Sequence, residues 1–477
     1  MSLDVAIIST AIPRITDEFN STGGIGWYGS AFLMTAAAFQ TMWDKVYKYF
    51  SIKWTFLLSI LIFAVGSLIC ALAPTNAVLV VGRAIAGVGV AGISAGSYLL
   101  VGISAPPKRA LALMGVTGAA FTLLSVAGPL IVNFPIGALS LAIIVVFFTV
   151  PAHAKPTKAI MREVFLSADI GGTIILLTAL ACFLLAMQWG GTSKAWSSAS
   201  VVATFVLAAA LGIAFEVLEW RLGERAAING RLLKNKTIAW QMAFQGLVSG
   251  TFFVLLYYLP IYFQSVKGVL TSESGIRNIP MMIGSSLFAI VTDILISIAG
   301  EYQASMVVGN ALICIASDLI YTLDVVSQSG EWIGYQVIAG IGMGLSLQIG
   351  IIVSQGVVEP QDMSEASAMA LFFQLFSGAI AVSVAQVLFA NKLLKSLTHT
   401  LGHSKAVETV AAGATGLRRI LAGADLDAAI HSYKVGLRNA YMLSIVLAGL
   451  GVAVGVLSII FDRRTLGKGK QTTMPVA

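Results

Sequence analysis

Residues 54–73 read WTFLLSILIFAVGSLICALA, a run without a charged side chain. An α-helix needs about 20 apolar residues to cross the hydrocarbon core of a bilayer. Similar runs recur along the whole chain, in which only 11% of residues are charged and the mean hydropathy is +0.89. A soluble domain carries about 25% charged residues. The sequence therefore predicts an all-α integral membrane protein that crosses the bilayer many times.

Apolar runs, and the charges, prolines and glycines that interrupt them, delimit fourteen predicted spans, of which the first and the sixth are short. The spans cover residues 1–15, 27–44, 54–73, 77–101, 109–132, 134–150, 168–189, 199–220, 238–263, 279–299, 304–323, 333–356, 366–391 and 437–461.

Basic residues are unevenly distributed between the predicted loops. With a cytoplasmic amino end, the inner loops and the tail hold seventeen of them, whereas the short outer loops hold four. The positive-inside rule then predicts that both termini face the cytoplasm. Residues 392–436 are the exception, because they form a long, basic outer segment. Its leucine pattern favours amphipathic helices on the outer face, and a solvated loop is the alternative.

Two short strings match enzyme motifs. GVGVAG at residues 87–92 has the spacing of a dinucleotide-binding fingerprint, and GISAG at 92–96 that of a nucleophile elbow. Both lie inside one apolar run, so we interpret the glycines as small residues that let membrane helices approach closely. These are Gly82, Gly89 and Gly96 in the fourth span and Gly340, Gly342 and Gly344 in the twelfth. No loop clusters His, Cys or carboxylate residues, so we predict neither an enzyme, a metal site nor a cofactor.

Ionisable residues inside the spans are few. Asp4, Arg83, Asp293 and Asp318 lie within the first, fourth, tenth and eleventh spans, and Asp44 lies at the inner end of the second. Each costs several kcal/mol in a bilayer unless it is paired or hydrated. An acid beside an arginine on a neighbouring helix can exchange a proton while the arginine stays charged. Such a pair is either a proton-coupling site or a structural ion pair.

Several stretches carry a family resemblance. LDVAIISTAIPRI at residues 3–15, followed by GWYGS at 26–30, resembles the first-span signature of the fungal fourteen-span drug:proton antiporters of the major facilitator superfamily. VVGRAIAGVG at 80–89 is similar to their fourth-span motif, whose arginine is associated with proton transfer. SVAGP at 125–129 resembles the core of their antiporter motif, which implies roles for Gly128 and Pro129. The match continues through YYLPIYFQ at 257–264, GIR at 275–277 and WIGYQ at 332–336.

This resemblance implies a major facilitator helical bundle of two six-span halves and two linker spans. The expected units are residues 1–150, 151–236 with the linker spans and a basic cytoplasmic loop, 237–461 with the outer segment 392–436, and a cytoplasmic tail at 462–477. Carriers of this kind bind substrate near the midplane and open alternately to the two sides. The resemblance also implies that Asp4 exchanges the proton and Arg83 is its electrostatic partner.

The chain departs from the family pattern at a few places. The glycines expected at the inner ends of the second and tenth spans are replaced by Asp44 and Asp293, which makes these residues candidates for an inner gate. The Gly-Gly expected after Pro129 is absent. Only three residues precede Asp4, too few to place it mid-membrane, so we expect the natural chain to begin upstream.

We therefore expect proton-coupled efflux of amphipathic organic compounds, such as toxins, drugs or secondary metabolites, across a fungal plasma membrane. The partners are the substrate, protons and the lipid bilayer. The alternatives are a nutrient or siderophore carrier of the same fold, or a transport-incompetent paralogue that acts as a receptor or scaffold. Aromatic and amide side chains suit a cavity for such compounds, with helix packing as the alternative role. The candidates are Gln245, Tyr257, Tyr258, Tyr262, Gln348, Phe373 and Gln374.

Overall fold

The computed structural model describes residues 25–104, 163, 167–191, 193–359 and 362–462. Over these ranges the chain is helical, and its β-structure is limited to an isolated bridge between Gly190 and Lys194. Ten helices of the described part are long and apolar enough to cross a membrane. The all-α prediction is thus confirmed. The predicted spans 1–15, 109–132 and 134–150, including both short ones, lie outside the described residues.

The described helices are numbered here in chain order. They are α1 (Ile25–Tyr49), α2 (Ile52–Ala71), α3 (Asn76–Ser104), α4 (Ile170–Trp189), α5 (Ala199–Leu222), α6 (Gly230–Leu233), α7 (Lys236–Ser265), α8 (Thr271–Arg277), α9 (Ile279–Ala299), α10 (Gln303–Thr322), α11 (Ser329–Ser346), α12 (Ile349–Val357), α13 (Met363–Leu401), α14 (His403–Ile420) and α15 (Gly423–Phe461). We call α1–α3 the N-terminal helices and α7–α15 the C-terminal helices.

Glycines bring α3 into backbone contact with both of its neighbours. A Cβ atom on Gly87 would lie 2.4 Å from the carbonyl oxygen of Phe32 on α1, and one on Gly89 would lie 2.4 Å from the backbone nitrogen of Phe63 on α2. Only a residue without a side chain fits at either place. The enzyme-like strings are therefore packing surfaces inside one membrane helix, as predicted.

Helix α1 lies inside the bundle and contacts α3, α4 and α13. Its polar residues Ser30, Thr35, Gln40 and Thr41 are all buried. Because protein rather than lipid surrounds α1, its surface does not have to be apolar throughout. This position explains why α1 is the most polar of the long N-terminal helices.

Helices α2 and α5 lie at the periphery, whereas α7 is almost wholly buried. One face of α2 exposes apolar side chains at helical spacing, and Leu72, just after the helix, continues it. These side chains are Trp54, Leu58, Leu61, Val65 and Leu68. An exposed apolar stripe along a whole helix is stable in lipid and unfavourable in water. The predicted linker spans, α4 and α5, pack against each other, and α4 also contacts α1.

Two boundaries differ from the predicted ones. The twelfth span divides into α11 and α12, with Leu347 and Gln348 between them. The segment 392–436 is largely continuous with the spans, because α13 extends to Leu401 and α15 already starts at Gly423. Leu393, Leu397 and Leu417 are buried in the core of the C-terminal helices, and the segment's other leucines are partly buried against that core. The amphipathic pattern thus reflects packing on the protein.

Candidate functional site

Gln245 lies at the meeting point of three C-terminal helices. Its side chain is fully buried, and its amide nitrogen donates to the carbonyl oxygen of Leu347 at 3.0 Å and to Oε1 of Gln374 on α13 at 3.3 Å. Oε1 of Gln245 has no hydrogen-bond partner among the described residues. Phe373 is half-buried beside Gln374, and its ring packs on Phe372 at a centroid distance of 5.3 Å. Three of the predicted cavity residues therefore cluster here.

The break between α11 and α12 faces the N-terminal helices. Oε1 of Gln348 accepts a hydrogen bond of 3.3 Å from the hydroxyl of Tyr98 on α3. The break also frees the carbonyl of Leu347, which Gln245 then binds. An interrupted helix at membrane depth is tolerated where side chains satisfy its backbone and where it lines a cavity.

The three predicted tyrosines of α7 have different neighbours. The ring of Tyr257 lies against α1, where a Cβ atom on Gly29 would be 2.7 Å from its Cε1. The hydroxyl of Tyr258 donates to Oε1 of Gln386 on α13 at 3.1 Å. That of Tyr262 donates to a carbonyl oxygen in the α10–α11 connection at 2.9 Å. Of these three, Tyr257 therefore contributes to the contact between N-terminal and C-terminal helices.

Arg83 is fully buried between α3 and α1. Its Nε donates to the carbonyl oxygen of Tyr28 at 2.9 Å, and its guanidinium carbon lies 4.2 Å from the centre of the Phe32 ring. The backbone and ring of α1 thus fix the orientation of this cation. Three other predicted site residues lie outside the described part of the chain: Asp4, Gly128 and Pro129.

The two candidate gate residues have unlike surroundings. A carboxylate oxygen of Asp44 on α1 accepts a hydrogen bond from the hydroxyl of Ser364 on α13. Asp293 on α9 is 6% exposed, and within the described residues neither of its carboxylate oxygens has a hydrogen-bond partner. Asp44 therefore joins an N-terminal helix to a C-terminal helix, whereas Asp293 is buried with its hydrogen-bonding capacity unused.

A network that the sequence analysis missed joins the segment after α5 to both helix groups. Nζ of Lys45 on α1 donates to the carbonyl oxygens of Arg225 and Ala226, the second at 2.6 Å. Arg231 donates to Asp362 before α13 at 2.8 Å, and this bond raises the pKa of Arg231. The basic residues of this loop indicated the orientation of the chain in the membrane. The residues that the loop contacts, Lys45 and Asp362, are more than a hundred residues away in sequence. The network lies where Asp44 meets Ser364.

Further polar residues near the centre were also absent from the predicted site. Tyr98 reads in sequence as an ordinary residue of an apolar span, and Gln40 on α1 is fully buried with no partner for its amide among the described residues. A lone amide in an apolar run is the signal that points to Gln40. The described part of the chain has no group of three His, Cys, Asp or Glu side chains arranged for a metal ion.

Comparisons with known proteins agree with this architecture. The sequence profile of the Major Facilitator Superfamily matches residues 1–383. The chain is 38% identical to the MFS-type transporter grgE of a Penicillium species, over 96% of this chain and 84% of that protein. It is 35% identical to the dehydrocurvularin exporter of Alternaria cinerariae, over 96% and 81%.

The fold is also similar to a solved structure. A bacterial homolog of the human lysosomal transporter Spinster, in an inward-facing conformation, superposes with a TM-score of 0.61 at 18% identity, over 97% of this chain and 95% of that one. At this identity the likeness concerns the fold alone. Together with the family match, it confirms the predicted resemblance: the chain is an integral membrane transporter and belongs to the Major Facilitator Superfamily.

Proposed function

We propose that this transporter exports amphipathic organic compounds from a fungal cell in exchange for protons, with both termini in the cytoplasm and the plasma membrane as its location. The observation that carries the proposal is its identity of 35% to a dehydrocurvularin exporter over nearly the whole chain. The inward-facing conformation of the structural relative is one of the two that alternating access requires.

The buried cluster of Gln245, Gln374 and Phe373 supports a role in substrate binding. A buried amide oxygen without a partner costs about 1–3 kcal/mol, and a hydroxyl group of a bound compound would remove that cost. Half-buried aromatic rings beside a few amides suit a flat, amphipathic molecule. Tyr257 lies at the contact with α1, and Gln348 is bonded to Tyr98 on α3. Through these two residues a bound compound would affect the contact between the N-terminal and C-terminal helices.

The buried position of Arg83 supports a role in proton coupling. A guanidinium stays charged at any physiological pH, and in a dry interior a carboxylate near it is stabilised in its ionised form. We propose that Asp4 is this carboxylate and that substrate or opening of the carrier weakens the pair, so that Asp4 takes up a proton. Asp44 and Asp293 are proposed to act at the inner gate.

Transport by the purified protein in proteoliposomes tests this function, with dehydrocurvularin as the probe. We expect a pH difference to drive the compound against its gradient, outward in the orientation of the cell. Asp4→Asn and Arg83→Ala proteins should lose this uphill movement. Uphill transport by both variants would refute the coupling assignment. Net movement of the compound in the direction that corresponds to import into the cell would favour the nutrient carrier.

Variants of the cavity form a separate test. Tyr258→Ala and Gln374→Ala should change the relative uptake of a set of related macrolides and phenols while protein yield stays normal. Tyr258 bonds within the C-terminal helices, so its effect is indirect, whereas Gln374 contacts Gln245 itself. Unchanged profiles for both variants would remove them from the substrate site.

A further inference from the structure

We propose that Asp293 is a second proton-binding site of the carrier, which holds a proton while it is buried and releases it when the inner ends of the helices separate. This inference rests on the proposed proton-coupled function. It starts from one contrast: Asp293 is 6% exposed, yet neither of its carboxylate oxygens has a hydrogen-bond partner among the described residues.

An ionised carboxylate in such surroundings is expensive. Removing a charge from water into a protein interior costs several kcal/mol unless hydrogen bonds or an opposite charge compensate. Asp293 makes no ion pair with any cation in the described ranges. A proton on one carboxylate oxygen removes the charge, so the neutral acid is the form that fits this closed arrangement.

The position of Asp293 relates its protonation to the contact between the helix groups. Its neighbour Thr292 bonds to the carbonyl oxygen of Gly344 at 3.3 Å, which places this part of α9 beside the end of α11. The following break carries Gln348, the hydrogen-bond partner of Tyr98. Tyr98 lies within range of the charge of Asp293. Asp293 therefore lies beside a contact that must break when the N-terminal and C-terminal helices separate.

Among the described residues, few other ionisable groups face this site. The charge of Asp293 acts on Tyr98 of α3, whose hydroxyl is neutral at physiological pH and donates to Gln348. On α11, Glu331 and Tyr335 precede Gly344 by at least nine residues, or about 13 Å along the helix. On α8, Glu273 and Arg277 pair with each other at 2.6 Å before α9 begins. Glu301 lies beyond the end of α9. Hydration of Asp293 is thus the change that would release its proton.

The proposed cycle conserves charge and atoms. A hydronium ion from the outer side gives a proton to one carboxylate oxygen of Asp293 and becomes water, and the resulting neutral acid stays buried while the inner side is closed. Asp293 is six residues from the inner end of α9, about 9 Å along the helix, so opening at this end admits cytoplasmic water. The O–H bond then breaks, and the proton leaves to that water in the direction of the pH gradient.

Infrared difference spectra of the purified, full-length protein test the site without a substrate. The wild type should show the carbonyl stretch of a protonated, buried carboxylic acid that disappears as the pH is raised. Asp293→Asn should lack this band, and its isosteric amide preserves the shape of the neutral acid. Asp318→Asn is the matched control and should keep the band, since Asp318 is exposed and lies four residues, about 6 Å, from the outer end of the next membrane helix, α10. An unchanged band in Asp293→Asn would overturn the inference.

Proteoliposomes then separate this inference from the proposed function. With dehydrocurvularin as the probe, Asp293→Asn should lose the part of the transport that depends on the pH difference and keep downhill exchange. If the wild type is driven by the pH difference and Asp293→Asn is driven equally well, the role of Asp293 is overturned, while the proposal of proton-coupled export stands. Wild-type transport that ignores pH would overturn the proposed coupling itself, and with it the role of Asp293.

Discussion

Asp324 and Lys434 form an ion pair that anchors the α10–α11 connection to α15. Nζ of Lys434 lies 2.9 Å from both carboxylate oxygens of Asp324, and the carbonyl oxygen of Asp324 accepts the hydroxyl of Tyr262. The hydrogen bond from Lys434 is the main reason why the pKa of Asp324 is lowered. The side chain of Lys434 is nearly buried, so solvent screens this pair less than a pair at an open surface.

The lowered pKa of Asp324 gives a pH-dependent prediction. Because the folded protein holds this carboxylate ionised, its stabilising effect is present above the unfolded pKa of about 3.9 and is lost as the pH falls below it. Asp324→Asn should therefore lower the melting temperature at neutral pH, and the difference from the wild type should shrink toward pH 3. Melting curves in detergent measure both values.

A second ion pair provides the control. Lys405 and Asp425 lie 2.8 Å apart, but both side chains are about half exposed. Exposed pairs contribute little, so Asp425→Asn should leave the melting temperature nearly unchanged. An Asp324→Asn protein that melts with the wild type at neutral pH would contradict the anchoring role.

Helix α3 shows how one element depends on residues that lack a side chain. Its glycines face α1 on one side and α2 on the other, and added Cβ atoms on Gly87 and Gly89 would lie 2.4 Å from backbone atoms of Phe32 and Phe63. Backbone atoms cannot move aside as a flexible side chain can. The spacing of the glycines predicted close packing, and its cause is that the neighbouring helices leave no room for a side chain at these positions.

Adding one methyl group to this surface should destabilise the protein. In Gly89→Ala the new Cβ would lie 2.4 Å from the backbone nitrogen of Phe63, so the two helices must shift apart. Overpacking of this kind costs about 1–3 kcal/mol. Gly212→Ala on α5 is the matched control, because no atom lies within 4 Å of its added Cβ.

The control should be as stable as the wild type or more so, since alanine favours a helix by up to about 1 kcal/mol over glycine. The free energy of unfolding in mixed micelles, followed by tryptophan fluorescence, measures both variants. Equal stability of Gly89→Ala and Gly212→Ala would show that α2 and α3 have room to separate.

At the scale of the whole molecule, α1 contacts the first half of α13. The hydroxyls of Ser30 and Ser383 lie 2.9 Å apart in one half of α1, and Asp44 meets Ser364 near its other end. Alternating access requires the N-terminal and C-terminal helices to separate at one end at a time. The Ser30–Ser383 contact is expected to break in only one of the two open states.

A reversible cross-link tests this motion. In the double variant Ser30→Cys and Ser383→Cys, the short distance between the two side chains should permit a disulfide, whose S–S bond is about 2.05 Å. Oxidation should stop transport in proteoliposomes, and a reducing agent should restore it. Mass spectrometry of the joined peptides measures the extent of cross-linking.

Two controls accompany the cross-link. Ser30→Cys alone should transport in both redox states. Ser30→Cys with Ser377→Cys should not cross-link, because Ser377 bonds to the carbonyl oxygen of Gly246 on α7 and lies about 9 Å along α13 from Ser383. Complete cross-linking with normal transport would show that α1 and α13 do not separate at this point.

The sequence by itself determined the class of this protein and most of its spans. Runs such as 54–73 must be helices in a bilayer, because lipid offers no partner for a free backbone N–H or C=O group. The glycines of α3 permit close packing of helices, and charged residues are scarce because a charge in lipid is costly. Each is a local property that can be read along the chain. The family motifs extended this to the transporter family, which the profile match confirmed.

Only the tertiary structure decided which polar residues meet. Gln245 and Gln374 are 129 residues apart, and Tyr98 and Gln348 are 250 apart, so no periodicity of the sequence relates them. The three tyrosines of α7 appeared equivalent in sequence, yet they face α1, α13 and the α10–α11 connection. The contacts of a side chain in a helical bundle depend on how the helices pack and turn, and that arrangement is set by the whole molecule.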